Sequence, residues 1–315
     1  MNLDFGHFQN LEEFNLFENI IGNDKNKSIL EKSIEIKKTS HSYLFWGTEG
    51  IGKKLIALEF AKKMLCLEPE NKNCKCKSCI EFDSRNNPDF IIIEPEDEKI
   101  KIDQIRNLQR KVAEKPINSN KKVYIINDSD KMTPEAQNCL LKTLEEPPEY
   151  LTIILICSNE YSMLSTIISR CTRMHFDNLE TEQIEKFLEK KYPDTKFSKK
   201  IIELSQGSIG KVLKLNQKSQ LYENIENLFE SFKTKDLIDI ITIAEEIYNE
   251  KEEINSLLEY MNILALRFSK KDLRYINSID IIENTKKRLS ANSNYDMCID
   301  NLLFNIWYLF QKERM

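Results

Sequence analysis

The sequence predicts an α/β domain, a parallel sheet flanked by helices, followed by a stretch made of helices alone. Three observations carry this. Residues 42–46 form a short apolar strand that runs into the glycine-rich loop GTEGIGKK and then a helix to about Leu65. Residues 123–126 and 152–157 are apolar runs of the kind a parallel sheet covered on both faces requires, and a helical stretch, 134–146, lies between them. No glycine follows Gly210 and no proline follows Pro193, so the last third of the chain lacks both residues that punctuate helices.

Composition bounds the function. The 315 residues suffice for two or three domains. The hydrophobic fraction of 41% supports a folded core, and the net charge of −5 excludes a global basic field for nucleic acid. Any DNA contact is therefore local or shared with partners. No apolar run approaches the roughly 20 residues of a membrane span. The first residues, MNLDFGHFQNLEEF, lack the basic and apolar regions of a secretion signal, so a cytoplasmic location is expected. Eight cysteines in such a chain read as thiols or metal ligands rather than disulfides.

In chain order, residues 1–40 are expected to be helical after a short leading segment. Ile29, Leu30, Ile34 and Ile36 lie along a mostly charged edge helix. The strand, glycine loop and helix at 42–65 form the context of a phosphate-binding loop. Gly47, Gly50 and Gly52 let backbone N–H groups turn toward phosphate oxygens, the helix start favours anions, and Lys53 would reach the outer phosphates. A hydrolysing loop follows its lysine with Ser or Thr, whose hydroxyl ligates magnesium. Here that place holds Lys54, an ammonium that cannot coordinate a cation. The loop is thus either a cradle that binds ATP without Mg-dependent turnover or a loop kept for its shape.

Cys66, Cys74, Cys76 and Cys79 follow in a Lys- and Asn-rich segment. Four nearby thiolates suit a tetrahedral structural zinc with no open position, and free thiols are the alternative. A strand at 91–93 precedes an amphipathic helix, 102–113, with Ile102, Ile105, Leu108 and Val112 on one face and Asp103 as its expected cap. In the helix 134–146, Thr133 suits the N-cap and Pro134 the first position. Ala136, Leu140 and Leu144 make its stripe, and Pro147–Pro148 stop it. Three short helices follow, at 182–190, 197–204 and from Ser208. Beyond them, Leu221, Ile225, Leu228, Phe229 and Phe232 form one helical stripe. Ile254, Leu257, Leu258 and Met261 form a second, and Leu302, Leu303, Ile306, Trp307 and Phe310 a third.

LLKTLEEPP, a strand, and then Ser169-Arg170-Cys171 resemble the clamp-loader branch of the AAA+ ATPases, in particular the gamma/tau and delta prime subunits of bacterial DNA polymerase III. The resemblance implies a RecA-like AAA+ domain over 1–173 with a four-cysteine insertion near 66–79. It further implies a helical lid over 174–214 and an all-α collar over 215–315 through which five subunits form a ring. Ile21 and Gly22 match a pair near the family's adenine pocket, and Asn87 replaces the family's histidine in His-Pro-Asp-aromatic. Arg170 corresponds to an arginine finger that projects into the ATP site of the neighbouring subunit; the plainer alternative is an arginine in a surface ion pair.

The chain departs from hydrolysing members in several places. Asn127 and Asp128 stand where those have Asp-Glu, and Ile209, Gly210 and Lys211 stand where they have an Arg-Asp pair. Ser158 and Asn159 match a phosphate sensor or form a strand-end turn. Only Lys75 separates Cys74 from Cys76, where the family has two residues. The implied function is that of a non-hydrolysing accessory subunit of a DNA-directed DNA polymerase holoenzyme. It would sit with gamma/tau and delta subunits and act on the sliding clamp and primed DNA through the complex. The alternative is the ATP-hydrolysing gamma/tau subunit, which would need a hydroxyl after Lys53 and an acidic pair at 127–128. A stand-alone DNA-binding protein fits the acidic net charge poorly.

Overall fold

The computed structural model describes residue 17 and residues 20–69, 71, 74–251 and 254–311. The first sixteen residues, part of the expected leading segment, lie outside the described residues. The chain divides into two compact units, 1–212 and 213–315.

In the first unit the strands are β1 (Ser42–Trp46), β2 (Phe90–Ile93), β3 (Lys122–Ile126), β4 (Leu151–Cys157) and β5 (Thr172–His175). They form one sheet in the order β2-β3-β4-β1-β5, with every neighbouring pair parallel. The helices are α1 (Asp24–Glu35), α2 (Lys53–Leu65), α3 (Lys77–Asp83), α4 (Ile102–Val112), α5 (Pro134–Glu145), α6 (Ser165–Ile168), α7 (Thr181–Lys191) and α8 (Lys199–Leu204), and α9 (Ile209–Gln217) begins in this unit and ends in the second. The two-residue period of the strands sorts their side chains onto two cores. Leu44, Tyr124, Ile126, Ile153 and Leu155 pack with Ile105 and Leu108 of α4 and Ala136, Leu140 and Leu144 of α5. Tyr43, Phe45, Val123, Ile125, Ile154 and Ile156 pack with Leu30 of α1 and Ile56, Ala57 and Phe60 of α2. Burying one such Leu, Ile or Phe contributes about 1.5–3 kcal/mol, so both faces of the sheet are firmly covered. All seven residues of β4 are buried, which is why that strand reads as unbroken apolar sequence.

Local signals set most boundaries. The Thr133 hydroxyl accepts the Ala136 N–H at 3.3 Å, and Pro134 opens α5 as expected. Asp103 does not cap α4. Lys101 occupies the N-cap, its N–H donates to Gln104 Oε1 at 3.0 Å, and Asp103 faces solvent beside Arg106. Asp103 sits two residues past the N-cap, inside the first turn. In α1, Leu30 is buried, but Ile29 is 47% exposed and Ile36, just past the helix, 62%. Helix α3 was not expected; it is a two-turn element whose N-cap is Cys76.

Buried Asp89 ties the sheet edge together. It accepts the N–H groups of Ile117, Asn118 and Ser119 at 2.7, 2.7 and 2.9 Å. Asn87, also buried, donates to the backbone and hydroxyl oxygens of Ser78, both at 2.9 Å, and so anchors α3.

The second unit contains α10 (Ser219–Ser231), α11 (Leu237–Tyr248), α12 (Ile254–Ser269), α13 (Arg274–Ser290) and α14 (Tyr295–Gln311). The three expected stripes point inward, with only Trp307 left half-buried. Phe232 stacks on Phe310 with ring centroids 5.5 Å apart, and Phe229 on Tyr275 at 6.1 Å. Buried Glu226 is matched by the Tyr260 hydroxyl at 3.2 Å and by the Arg267 guanidinium. Asp236 caps α11 by accepting the N–H groups of Ile238 and Asp239 at 3.0 and 3.1 Å.

Candidate functional site

The glycine loop lies at the carboxyl end of β1, the end at which parallel sheets bind ligands. Gly50 and Gly52 take φ angles of 77° and 97°, which residues with a Cβ rarely adopt. Lys53 is 5% exposed and folds back on the loop, donating to the carbonyls of Gly47 at 2.6 Å and Thr48 at 2.7 Å. Burial lowers its pKa, partly offset by the fields of Cys157, Asp130, Glu49 and Asp128.

Lys54 points toward β2, where its ammonium lies 2.6 Å from Glu94 Oε1. Glu94 follows the last residue of β2, and that strand end is bonded to Asn127, whose N–H donates to the Ile93 carbonyl at 2.9 Å. Asn127 itself is neutral. Asp128 sits in the left-handed region, φ 50° and ψ 47°, with its carboxylate 3.5 Å from Lys131. Asp130 accepts the N–H groups of Ser158 and Asn159 at 3.2 and 3.1 Å, and its Oδ1 is buried with no hydrogen-bond partner. A magnesium ion of the kind the resemblance implies needs several anionic or hydroxyl oxygens converging on one point. An ammonium, a neutral amide, a carboxylate beside Lys131 and the single unpartnered oxygen of Asp130 do not supply such a set. Asn159 in turn accepts the Tyr161 N–H at 3.0 Å and caps a short turn, Glu160–Ser162.

Arg170 lies elsewhere. Its backbone carbonyl accepts the Ser42 hydroxyl at 2.6 Å, which places it at the opposite end of β1 from the loop. At about 3.3 Å per residue, the strand separates the two by roughly 13 Å. The guanidinium donates to the Thr166 carbonyl at 2.8 Å and pairs with Glu145, the last residue of α5, at 2.7 Å. Both partners are substantially exposed, 34% for Arg170 and 48% for Glu145. The structure thus separates Arg170 from the loop of its own chain. Glu94, Asp130 and Asp89 were not singled out by the sequence, because each takes its role from a partner far along the chain.

The four cysteines come together. Cys66 ends α2, Cys74 lies in the connection, Cys76 caps α3, and Cys79 sits in its first turn. All four Sγ atoms lie within 4.8 Å of one another. A tetrahedral zinc–thiolate centre needs sulfur separations of about 3.8 Å, so this donor set fits a metal ion with little rearrangement. The short Cys74–Cys76 spacing is absorbed by extended backbone at Cys76, whose N–H donates to Cys74 Sγ at 3.4 Å. Burial raises the Cys66 thiol to about 11 and pushes Cys79 up as well. At Cys76, burial is outweighed by the N–H groups of Leu67 and Cys79 and by neighbouring thiols, which bring it down to about 7.

Comparison with known proteins gives these features a context. The family DNA polymerase III, delta subunit, matches residues 22–180, just over half of the chain. DNA polymerase III subunit delta' of Bacillus subtilis is 41% identical over 158 residues, covering 50% of this chain and 48% of that protein. Subunit delta' of Pseudomonas aeruginosa is 34% identical over 138 residues, 42% of each chain. Subunit tau of Bacillus subtilis is 36% identical over 170 residues, 53% of this chain and 30% of its own. The chain therefore spans about half, or less, of the length of the curated relatives it matches. Among solved structures, a DNA polymerase III gamma subunit-related protein from Thermotoga maritima superposes with a TM-score of 0.55 at 20% identity, covering 89% of this chain and 99% of that one. At that identity the likeness speaks for the fold, an AAA+-type parallel sheet with C-terminal helices. By the span and strength of these matches, the protein belongs to the DNA polymerase III delta-subunit family, with delta prime and gamma/tau subunits as its relatives.

Proposed function

We propose that this chain is a delta prime-type subunit of the DNA polymerase III clamp loader, a cytoplasmic AAA+ subunit that assembles with gamma/tau and delta subunits and does not itself hydrolyse ATP. It donates Arg170 to the ATP site of an adjacent gamma/tau subunit and supports loading of the sliding clamp onto primed DNA. The guanidinium there offsets charge on the transferred phosphoryl group. Gly47, Gly50, Gly52 and Lys53 retain the form of a phosphate cradle, while Lys54 takes the place of the metal-binding hydroxyl.

The observation that carries the proposal is the Lys54–Glu94 ion pair, 2.6 Å long, at the position where hydrolysing loops hold magnesium. A steady-state ATPase assay on the isolated chain tests it. No turnover above background is expected. Turnover abolished by Lys53→Ala would instead assign the chain to the hydrolysing gamma/tau class, a reading that the 36% identity to a tau subunit keeps in play.

Cys66, Cys74, Cys76 and Cys79 hold a structural zinc in this proposal, closing the α2–α3 connection. Metal analysis of protein purified under reducing, chelator-free conditions should give about one equivalent; none would leave the cluster as free thiols.

A further inference from the structure

Hydroxyl groups gather at the amino ends of β1, β4 and β5. Ser40 Oγ donates to the Ser42 carbonyl at 3.1 Å and accepts from Thr172 Oγ1 at 3.0 Å. The Thr152 hydroxyl donates to the Ser40 carbonyl at 3.3 Å, and the Ser40 N–H donates to the Tyr43 hydroxyl at 2.8 Å. Ser42 is fully buried, and its own hydroxyl donates to the Arg170 carbonyl at 2.6 Å. The chain from Arg170 to Thr172 is thus tied to residues 40–42 on both sides of Cys171.

These ties act on the backbone from which the Arg170 side chain projects. The guanidinium is held by the Thr166 carbonyl and Glu145 only while it lies against its own chain. An arginine that reaches into another subunit gives up Glu145, and its side chain then swings about a Cα placed by the backbone alone. Helix α6, just before it, is a single turn of four residues, too short to be rigid by itself. Ser42 reaches that backbone from β1, which lies between β4 and β5 in the sheet, so its hydroxyl is a fixed reference point. The demand on that reference is high, because a misplacement of about 1 Å at a reacting centre can cost about 10²-fold in rate.

We propose that Ser42 is a positioning residue for Arg170: its buried hydroxyl holds the carbonyl of the arginine and so sets where the guanidinium arrives. The anchor stands on this geometry. Its effect on hydrolysis rests on the proposed role of Arg170 at a neighbouring ATP site.

Two measurements keep anchor and effect apart. Hydrogen exchange of the full chain, read by mass spectrometry, reports the anchor. Ser42→Ala should speed exchange in a peptide covering 165–173 by about ten-fold and leave β3 unchanged. Steady-state ATP hydrolysis in the complex with gamma/tau reports the effect. Ser42→Ala should lower kcat about ten-fold and leave KM for ATP within about two-fold of the parent, since the site that binds the nucleotide is untouched. Added to Arg170→Ala, it should cost nothing further, because it acts through that arginine. Unchanged exchange overturns the anchor. Faster exchange with a parental kcat overturns the positioning role, as does an equal further loss in the Arg170→Ala background. If Arg170→Ala alone leaves hydrolysis intact, the role in trans falls and takes the positioning role with it, while exchange still decides the anchor. Should Ser42→Ala not fold, Ser42→Cys, a weak donor of similar size, is held to the same criteria.

Discussion

The two ends of β1 treat charge in opposite ways. At the carboxyl end, Lys53 is 5% exposed and bound to two loop carbonyls, while Asp130 holds two backbone N–H groups. Apart from Asp130 Oδ1, which is buried without a partner, these groups are committed to partners in the same chain. At the amino end, Arg170 is tethered through its backbone to Ser42, but its guanidinium rests in an exposed pair with Glu145. Surface pairs of that kind are worth about 0–1 kcal/mol, so the arginine can leave Glu145 for a better anion at little cost. The difference is between a loop turned in on itself and a cation held in an exposed ion pair.

The largest expected effect lies at the exposed end. In a reconstituted complex with gamma/tau, Arg170→Ala should lower ATP hydrolysis by about 10³-fold at the adjacent site, the contribution typical of an arginine finger. Unaltered hydrolysis would erase the contrast between the two ends. At the committed end, Asp130→Ala removes a charged acceptor from Ser158 and Asn159. It should cost about 2 kcal/mol in urea unfolding, with no effect on Arg170-dependent hydrolysis. A change under about 0.5 kcal/mol, the scatter of ordinary surface substitutions, would mean that the carboxylate is not holding the turn. The smallest effect belongs to Glu145→Gln, which should move stability by less than about 1 kcal/mol and leave the finger working. A large loss of hydrolysis in the complex would show that Glu145 positions Arg170 and does not merely park it.

Much of this was legible in the sequence wherever a local rule acts. The strand–loop–helix at β1 and α2, the Thr133–Pro134 start of α5 and the three inward stripes of the helical unit all follow from spacing and capping within a few residues. The four cysteines could be grouped by proximity along the chain, although a spacing one residue short hid the fact that α3 would begin between them. Asp103 misled because acidic residues near a helix start serve either as caps or as first-turn charges, and a shift of two residues decides which. Glu94, Asp130 and Asp89 were out of reach for another reason. Their partners, Lys54, Ser158–Asn159 and Ile117–Ser119, lie 28 to 40 residues away and meet them only once the sheet is assembled. The glycines were likewise half visible: those of the loop announced phosphate, whereas the close approach of Gly210 to Gly50 is a tertiary fact.

The most direct test of the central claim is clamp loading onto primed template by a reconstituted mixture of gamma/tau, delta and this chain. Loading should collapse when the chain is omitted and should be restored by the parent and by Lys53→Ala, but not by Arg170→Ala. Equal loading with and without the chain, or a requirement for Lys53 in place of Arg170, would contradict the account.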